Sequence, residues 1–466
     1  MNIKTICRAL CVSTALVAFA SCDSYLNIKP KGELIPETAA DYEKMLNYNQ
    51  LVKGGDPYPN FLTDDVYLPD EGDMIRFSMA EPSVQNLYTF QSEVFSDSED
   101  DHLWIQCYTR IHYFNVVANQ ILDATESTLD ERRALRAEAL MGRAFEYLTL
   151  VNAYAKHYDA QTSATDLGVP LILDENIEQS NLKRATVKEV YDQIQRDLDE
   201  ASKYLPAKPK HNAFRASAPV GYGMRARMYL YMGDYAKALE NANLSLKGNN
   251  TLLDLTKYSV VAPNRAIGRT NVPDRADNPE NIYIRMTPWV FGLSTKTCLS
   301  DELMKLYDAA NDQRVKLYVI QSFGNVTNLP NLWFPFLYAN VAMATPEMYL
   351  IAAECEARIG NKERALELIN TLRTNRIMNA TPLTATTAED ALKLVLEERR
   401  RELALSGISR LVDLKRLNKD SRFAKTVTHV VEGKTYTLQP NDPKYILPIP
   451  GVVMRFNKET MVQNPR

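Results

Sequence analysis

Residues 219–246 read PVGYGMRARMYLYMGDYAKALENANLSL. The spacing predicts two short helices folded back on each other. Gly233-Asp234 is the break between them, because Gly closes a helix without a Cβ penalty and Asp caps the next one. Tyr222, Ala226 and Tyr229 share a helical face before the break, and Tyr235, Ala238 and Ala242 share one after it. Large residues set opposite small ones let two helices interlock.

The same spacing returns at residues 346–372, PEMYLIAAECEARIGNKERALELINTL. There Tyr349, Ala353, Gly360, Ala365 and Ile369 answer Tyr222, Ala226, Gly233, Ala238 and Ala242, position for position. An aromatic, a small residue, a turn Gly and an Ala resemble the tetratricopeptide helix-turn-helix unit. The two copies start 127 residues apart, whereas a tandem array repeats about every 34. The scaffold is therefore interrupted, and residues 250–344 become a candidate working surface.

The chain has 466 residues, 45% of them hydrophobic and 24% charged, an ordinary globular composition. Its net charge is −4, and losing Lys4 and Arg8 with residues 1–21 takes it to −6. No basic excess is available to neutralise phosphates, which argues against a nucleic-acid partner. Residues 9–20 form an apolar run too short to span a bilayer, which takes about 20 residues. With the basic start and the small pair Ala20-Ser21, this is a secretory signal over 1–21. An ordinary cleaved signal is one reading. The abrupt polar turn after Cys22 favours the other, a lipobox in which Cys22 is acylated and anchors the protein to a membrane. Cys7 and Cys11 leave with the signal. Cys107, Cys298 and Cys355 are too few and too scattered for a disulfide framework, and Cys355 reads as a packed core thiol.

Beyond Cys22 one domain is expected over 22–466. Residues 22–40, with Pro30, Gly32 and Pro36, form an extended tether. A helical half over 41–249 starts with a short helix at 41–51. A long helix begins near Asp101, after the acidic run Asp97-Ser98-Glu99-Asp100-Asp101. That run suits a helix N-terminus; a calcium loop is the sharper alternative, but the Gly and distal Glu of an EF-hand are missing. Further helices are expected at 129–154 and 187–205, the latter opened by Thr186 and Glu189 at capping-box spacing. Residues 250–344 are rich in Pro, Asn and aromatics, with one clear helix at 301–309. Residues 345–466 carry the second hairpin and a helix at 388–405.

The sequence holds no phosphate-binding Gly-rich loop, no zinc spacing and no nucleophile elbow, and its five histidines are dispersed. No catalytic residue, metal or cofactor is expected. Glu397-Glu398-Arg399-Arg400-Arg401-Glu402 reads as a structural salt-bridge face, with Glu397 and Arg401 paired at i,i+4, rather than an acid/base pair. The loop aromatics carry two readings. They are buried plugs, or they are a flat platform for a sugar ring with Asn and Asp nearby for hydroxyls. On the second reading the ligand-binding residues are Trp289, Phe291, Trp333, Phe334 and Tyr338, with Phe336 beside them. Trp104 belongs instead to a helical core stripe with Tyr108 and Ile111.

Taken in order, these features resemble the SusD/RagB outer-membrane lipoproteins. The mature start CDSYLNIKP, the run TAADYEKML from Thr38, and Trp104, Tyr108, Ile111 and Asn115 match its N-terminal motifs. Tyr349, Ala353, Glu354, Ala365, Asn370 and Arg373 match its late hairpin, and Glu398-Arg-Arg-Arg-Glu-Leu-Ala and Asp413-Leu-Lys-Arg a late signature. Two departures stand out. Gly407-Ile-Ser-Arg410-Leu411 is one residue longer than usual and lacks the aromatic, and Ser406 stands where Glu is common. Residues 250–344 match no family motif, so no ligand residue is carried over. The resemblance implies an all-α superhelix of tetratricopeptide-like helix pairs with long irregular loops. It also implies a lipid-anchored, surface-exposed, non-catalytic protein of the outer membrane. Such a protein captures an oligosaccharide and hands it to a SusC-like TonB-dependent transporter. A peptide-capturing member, or a lipid-anchored scaffold for protein partners, are the alternatives.

Overall fold

Local signals in the chain place its helices. In the computed structural model these are α1 Ala39–Leu46, α2 Pro82–Tyr88, α3 His102–Gln120, α4 Leu129–Tyr154, α5 Val187–Ala201, α6 Ala218–Met232 and α7 Tyr235–Gly248. After them come α8 Asp301–Met304, α9 Gln313–Tyr318, α10 Thr345–Arg358, α11 Lys362–Thr374, α12 Ala388–Glu402, α13 Ser409–Leu417 and α14 Gly451–Phe456. The structure describes residues 36–71, 76–96, 99–175, 182–263, 269–286, 297–322, 330–333 and 340–466. The signal stretch and Cys22 lie outside these residues, as do Trp289, Phe291, Phe334, Phe336 and Tyr338. Thr38, Thr128, Thr186 and Thr387 each open a helix with a complete capping box. Asp101 caps α3, accepting from the main-chain N–H groups of Leu103 and Trp104 at 3.0 and 3.3 Å, and its other oxygen accepts from the Tyr58 and Tyr154 hydroxyls.

Both hairpins form as their sequences predict. Gly233 and Gly360 take φ of +77° and +93°, a left-handed conformation that a Cβ disfavours. Asp234 then accepts from Lys237 N at 3.1 Å, and Asn361 from Arg364 N at 3.3 Å, so each second helix is capped at once. Ala226, Ala238, Ala242, Ala353 and Ala365 are wholly buried in the seams. The gap of 127 residues in sequence closes in space, because α7 packs directly on α10. Helices α3 to α5 pack in succession on one side of this stack, and α11 and α12 pack on α10 at the other. The result is an all-α superhelix of helix pairs. Residues 250–344 loop out between α7 and α10 and return.

Electrostatics lock the pairs together. The Arg227 guanidinium on α6 grips Glu347 on α10, with Nε–Oε1 at 2.9 Å, and also donates to the Ala342 carbonyl. Glu354 on α10, Arg416 and Asp413 on α13, and Arg399 on α12 form a buried chain: Arg416–Glu354 at 2.5 Å, Arg416–Asp413 at 2.8 Å and Arg399–Asp413 at 2.9 Å. Tyr108 and Asn115 on α3 hold the extended strap after α4, through the carbonyls of Pro170 and Ile172 at 2.8 and 2.9 Å.

The 397–402 run is a structural salt-bridge segment, as its sequence suggests, but with other partners. Glu398 and Arg399 are fully buried, and Arg401 nearly so. Glu397–Arg401 is long, at 3.9 Å, while Arg401 bonds Glu398 at 2.7 Å. Arg314 from the 250–344 segment and Arg373 from α11 reach the same Glu398 at 2.8 and 3.0 Å. The helix has two packed sides, so its charges meet partners from other segments that the local spacing does not reveal. Helix ends shift as well. The first helix covers 39–46 rather than 41–51, the third long one ends at Ala201, and 301–309 is helical only to Met304.

Within 250–344, and at residues 66–67, the structure adds short strands that the sequence pattern did not predict. Strands β1 Val66–Tyr67, β3 Cys298–Leu299, β4 Val319–Ile320 and β5 Leu332–Trp333 form an antiparallel sheet in the order β1-β3-β5-β4, and β2 Asn281–Tyr283 pairs with β6 Met343–Ala344. Strands of two or three residues are too short to display alternation. The remaining pair, β7 Val427–Val431 and β8 Lys434–Leu438, is a hairpin. Cys107, Cys298 and Cys355 are buried free thiols.

Candidate functional site

Register decides where Trp333 goes. Strand β5 lies between β3 and β4, with Trp333 opposite Val319 and Leu332 opposite Ile320. Leu332 is buried, so its neighbour Trp333 turns the other way and is only half-buried. Its ring meets Tyr318 edge-on, with centroids 5.8 Å apart and planes at 75°. Together they wall a cavity of about 150 Å³ where the 250–344 segment returns to the helical frame.

Asn278, Asn281, Asn340 and Ser406 also line this cavity. Asn340 is fixed by its own network: its amide donates to the carbonyls of Tyr283 and Met343, and its oxygen accepts from the main-chain N–H groups of Arg285 and Ala342. Ser406 contributes a short side chain where the resemblance led us to expect Glu. The floor is ionic. Arg376, almost fully buried, bonds Glu280 at 2.7 Å and Glu402 at 2.9 Å, and donates to the Leu253 carbonyl at 2.8 Å. Arg314 adds a second bond to Glu402 at 2.7 Å. Burial pushes the Glu402 carboxyl up, but the two guanidiniums outweigh it and hold it below the usual carboxylate range. For Glu280 burial wins over Arg376, and its value is raised.

Of the five ligand residues expected from sequence, only Trp333 lies among the described residues, and it is on the cavity wall. The others, Trp289, Phe291, Phe334 and Tyr338, fall outside them. The asparagines were missed individually, although the Asn-rich composition of 250–344 was the available signal. Arg376, Glu280 and Glu402 carried no local signal, since they come from three distant segments. A cavity of this size is below the roughly 300–1,000 Å³ of most small-molecule sites. It admits part of a ring against an indole face, while the Asn340 and Asn281 amides donate to groups of the protein itself.

Among the described residues, no helix is long and apolar enough to cross a membrane. No curated protein matches the chain. Solved structures do. A SusD superfamily protein from Bacteroides thetaiotaomicron superposes with a TM-score of 0.71 at 21% identity, covering 92% of this chain and 100% of its own. A SusD superfamily protein from Bacteroides vulgatus gives 0.72 at 22%, covering 92% and 99%. A SusD-like carbohydrate binding protein from the same species gives 0.67 at 21%, covering 91% and 97%. These likenesses concern the fold. Two family models match the sequence itself: SusD-like 3, described as starch-binding associating with outer membrane, over residues 24–230, and the SusD family over 339–466. Between the two matches lies most of the 250–344 segment that fits no motif, and with the helix-pair frame on either side of it the chain belongs to the SusD family.

Proposed function

We propose that this protein is a non-catalytic, lipid-anchored glycan-capture protein of the outer membrane that passes oligosaccharide to a SusC-like TonB-dependent transporter. The observation that carries the reading is Trp333, half-buried on the wall of a cavity lined by Asn278, Asn281 and Asn340. An indole face takes the C–H side of a sugar ring. The description of the matching family as starch-binding and associated with the outer membrane points the same way, and so does the carbohydrate-binding relative from Bacteroides vulgatus. Cys22, directly after the small pair Ala20-Ser21, supports the anchor.

The cavity's carboxylates support a role without catalysis. Glu280, Glu347 and Glu402 are each bonded to an arginine, at 2.7, 2.9 and 2.9 Å. A general acid or base needs a free proton site near the substrate, and these are committed to holding the fold. Binding to a glycan array, followed by affinity for the best hit in Trp333→Ala, tests the ligand class and the site. Loss of one aromatic face weakens binding roughly tenfold. Unchanged affinity with intact folding refutes the assignment of Trp333, and binding to peptides alone refutes the glycan class. Cys22→Ser tests the anchor: the protein leaves the membrane fraction, and retention there overturns lipid attachment at Cys22.

A further inference from the structure

Residues 56–66 are buried throughout, although only a short turn of helix at Tyr58–Leu62 and the first residue of β1 give them regular structure. They strap the two ends of the chain together. Asn60 donates to the Gly407 carbonyl at 2.6 Å, and the Thr63 carbonyl meets the His429 ring at 2.9 Å. Asp64 and Asp65 bind Arg410 and Arg400 at 2.8 and 2.6 Å. Just before the strap, Gly54 N donates to the Met286 carbonyl at 2.7 Å, which ties the 250–344 segment to it.

At its N-terminal end the strap meets two buried carboxylates, Asp56 and Asp101. Tyr58 bridges them: its main-chain N–H donates to Asp56 at 3.1 Å and its hydroxyl to Asp101 at 2.9 Å. Asp101 collects three further donors, the Tyr154 hydroxyl at 2.6 Å and the N–H groups of Leu103 and Trp104 at 3.0 and 3.3 Å. Four donors stabilise an ionised carboxylate. Asp56 has one, and among the described residues neither acid forms a salt bridge. The cations nearby are engaged elsewhere. Arg110 touches the strap's approach only at the Gly54 carbonyl, at 3.4 Å, and gives Nε and Nη2 to Glu146, both at 2.8 Å. Arg466, beside Tyr58, donates to the carbonyls of Ile446 and Gln91. Cys107, also near Asp101, is kept a neutral thiol by burial and by Glu146. Asp100 and His102 flank Asp101 but are exposed.

A second charge on Asp56 would lie buried against the first with no cation to offset it, and such a pair keeps a proton. The donor count puts the charge on Asp101 and the proton on Asp56. Burial, with Asp101 beside it, pushes Asp56 up to about 7, and burial takes Asp101 to about 6. We propose that Asp56 and Asp101 form a proton lock: one proton, carried on Asp56, keeps the strap seated, and its loss as pH rises frees the strap's N-terminal end. Once that end leaves the core, Asp56 ionises as an ordinary carboxyl, so each opening releases a proton. A carboxyl raised in the closed form contributes below its open-form value and loses that contribution as pH rises through the closed-form value. Opening therefore grows with pH until Asp56 has titrated, and levels off above that. The lock shares no residue with the cavity of Trp333 and stands apart from glycan capture.

Hydrogen–deuterium exchange over residues 56–66, corrected for the intrinsic rate, tests it together with carboxyl carbon NMR of Asp56. For one proton per opening, protection of the strap falls roughly 25-fold between about pH 5.5 and 7.5 and then levels off. Asp56→Asn keeps an acceptor for Tyr58 N and cannot ionise, so its protection stays flat over the same range. In the unsubstituted protein the Asp56 carboxyl titrates at about 7. Asp101→Asn removes the facing charge, and the Asp56 midpoint moves down. Flat protection in the unsubstituted protein, or an equal fall in Asp56→Asn, overturns the lock. A midpoint that Asp101→Asn leaves in place overturns the pairing. Should Asp56→Asn fail to fold, the NMR titration decides alone: an Asp56 carboxyl already ionised at about pH 5 refutes the proposal.

Discussion

Replacing Arg376 by Met should uncouple the 250–344 segment from the helical frame. The side chain is 2% exposed and gathers Glu280 from that segment, Glu402 from α12 and the Leu253 carbonyl around one guanidinium. Glu402 keeps Arg314, but Glu280 keeps only the Leu253 N–H, at 2.7 Å, among the bonds described. Removing one member of a buried ion pair costs about 3–5 kcal/mol, because the other charge stays buried. At about 2.1 cal/mol/K of unfolding entropy per residue, a chain of roughly 440 residues loses about 3–6 °C in Tm. The deficit depends on pH. Burial already raises Glu280, and losing Arg376 raises it further. A carboxyl raised in the folded state contributes its stability below its unfolded value and loses it as pH rises through the folded value. The deficit is therefore largest at neutral pH and shrinks toward pH 4.5. Calorimetry of the wild type, R376M, E280Q and the double variant at both pH values checks this. R376M shifted by less than about 1 °C, or a double variant equal to the sum of the singles, refutes the pairing argument.

Three further outcomes follow from local geometry. Gly142→Ala on α4 would drive its Cβ into the Phe114 ring of α3, an overpacking of about 1–3 kcal/mol, and chemical denaturation reads it. Gly233→Ala meets no neighbouring atom, so it costs only the left-handed backbone, about 1–2 kcal/mol; a larger loss would mean the turn does more than reverse the chain. On acidification, burial raises Glu398 and Asp413 but the surrounding arginines hold both at about 2. Depressed carboxylates contribute above their unfolded values and lose that contribution as pH falls through the folded ones. Stability should therefore fall from about pH 4.5 toward 2, and less steeply in Glu398→Gln.

How much of this was legible beforehand differs by element. A helix start was readable where a Thr stood three residues before an acid, as at Thr186 and Glu189, because capping is local chemistry. The core thiol Cys355 and the Trp104 stripe were readable because burial follows helical periodicity. The EERRRE run was legible as a salt-bridge segment, but most of its partners were not, because Arg314, Arg373 and Asp413 sit on other segments. The four-stranded sheet was missed because each of its strands is two residues long.

The hairpin at 219–246 shows the division most clearly. Its turn, its cap and its small-residue seam are contacts between residues a few positions apart, so the sequence alone determined them, along with the repeat at 346–372. That the two hairpins stack on one another across 127 residues was decided only in three dimensions. So was the convergence of Trp333 with Asn278, Asn340 and Ser406, and that of Asp56 and Asp101 on Tyr58. The reason is physical: periodicity records which face of a segment is buried, but not which distant segment covers it.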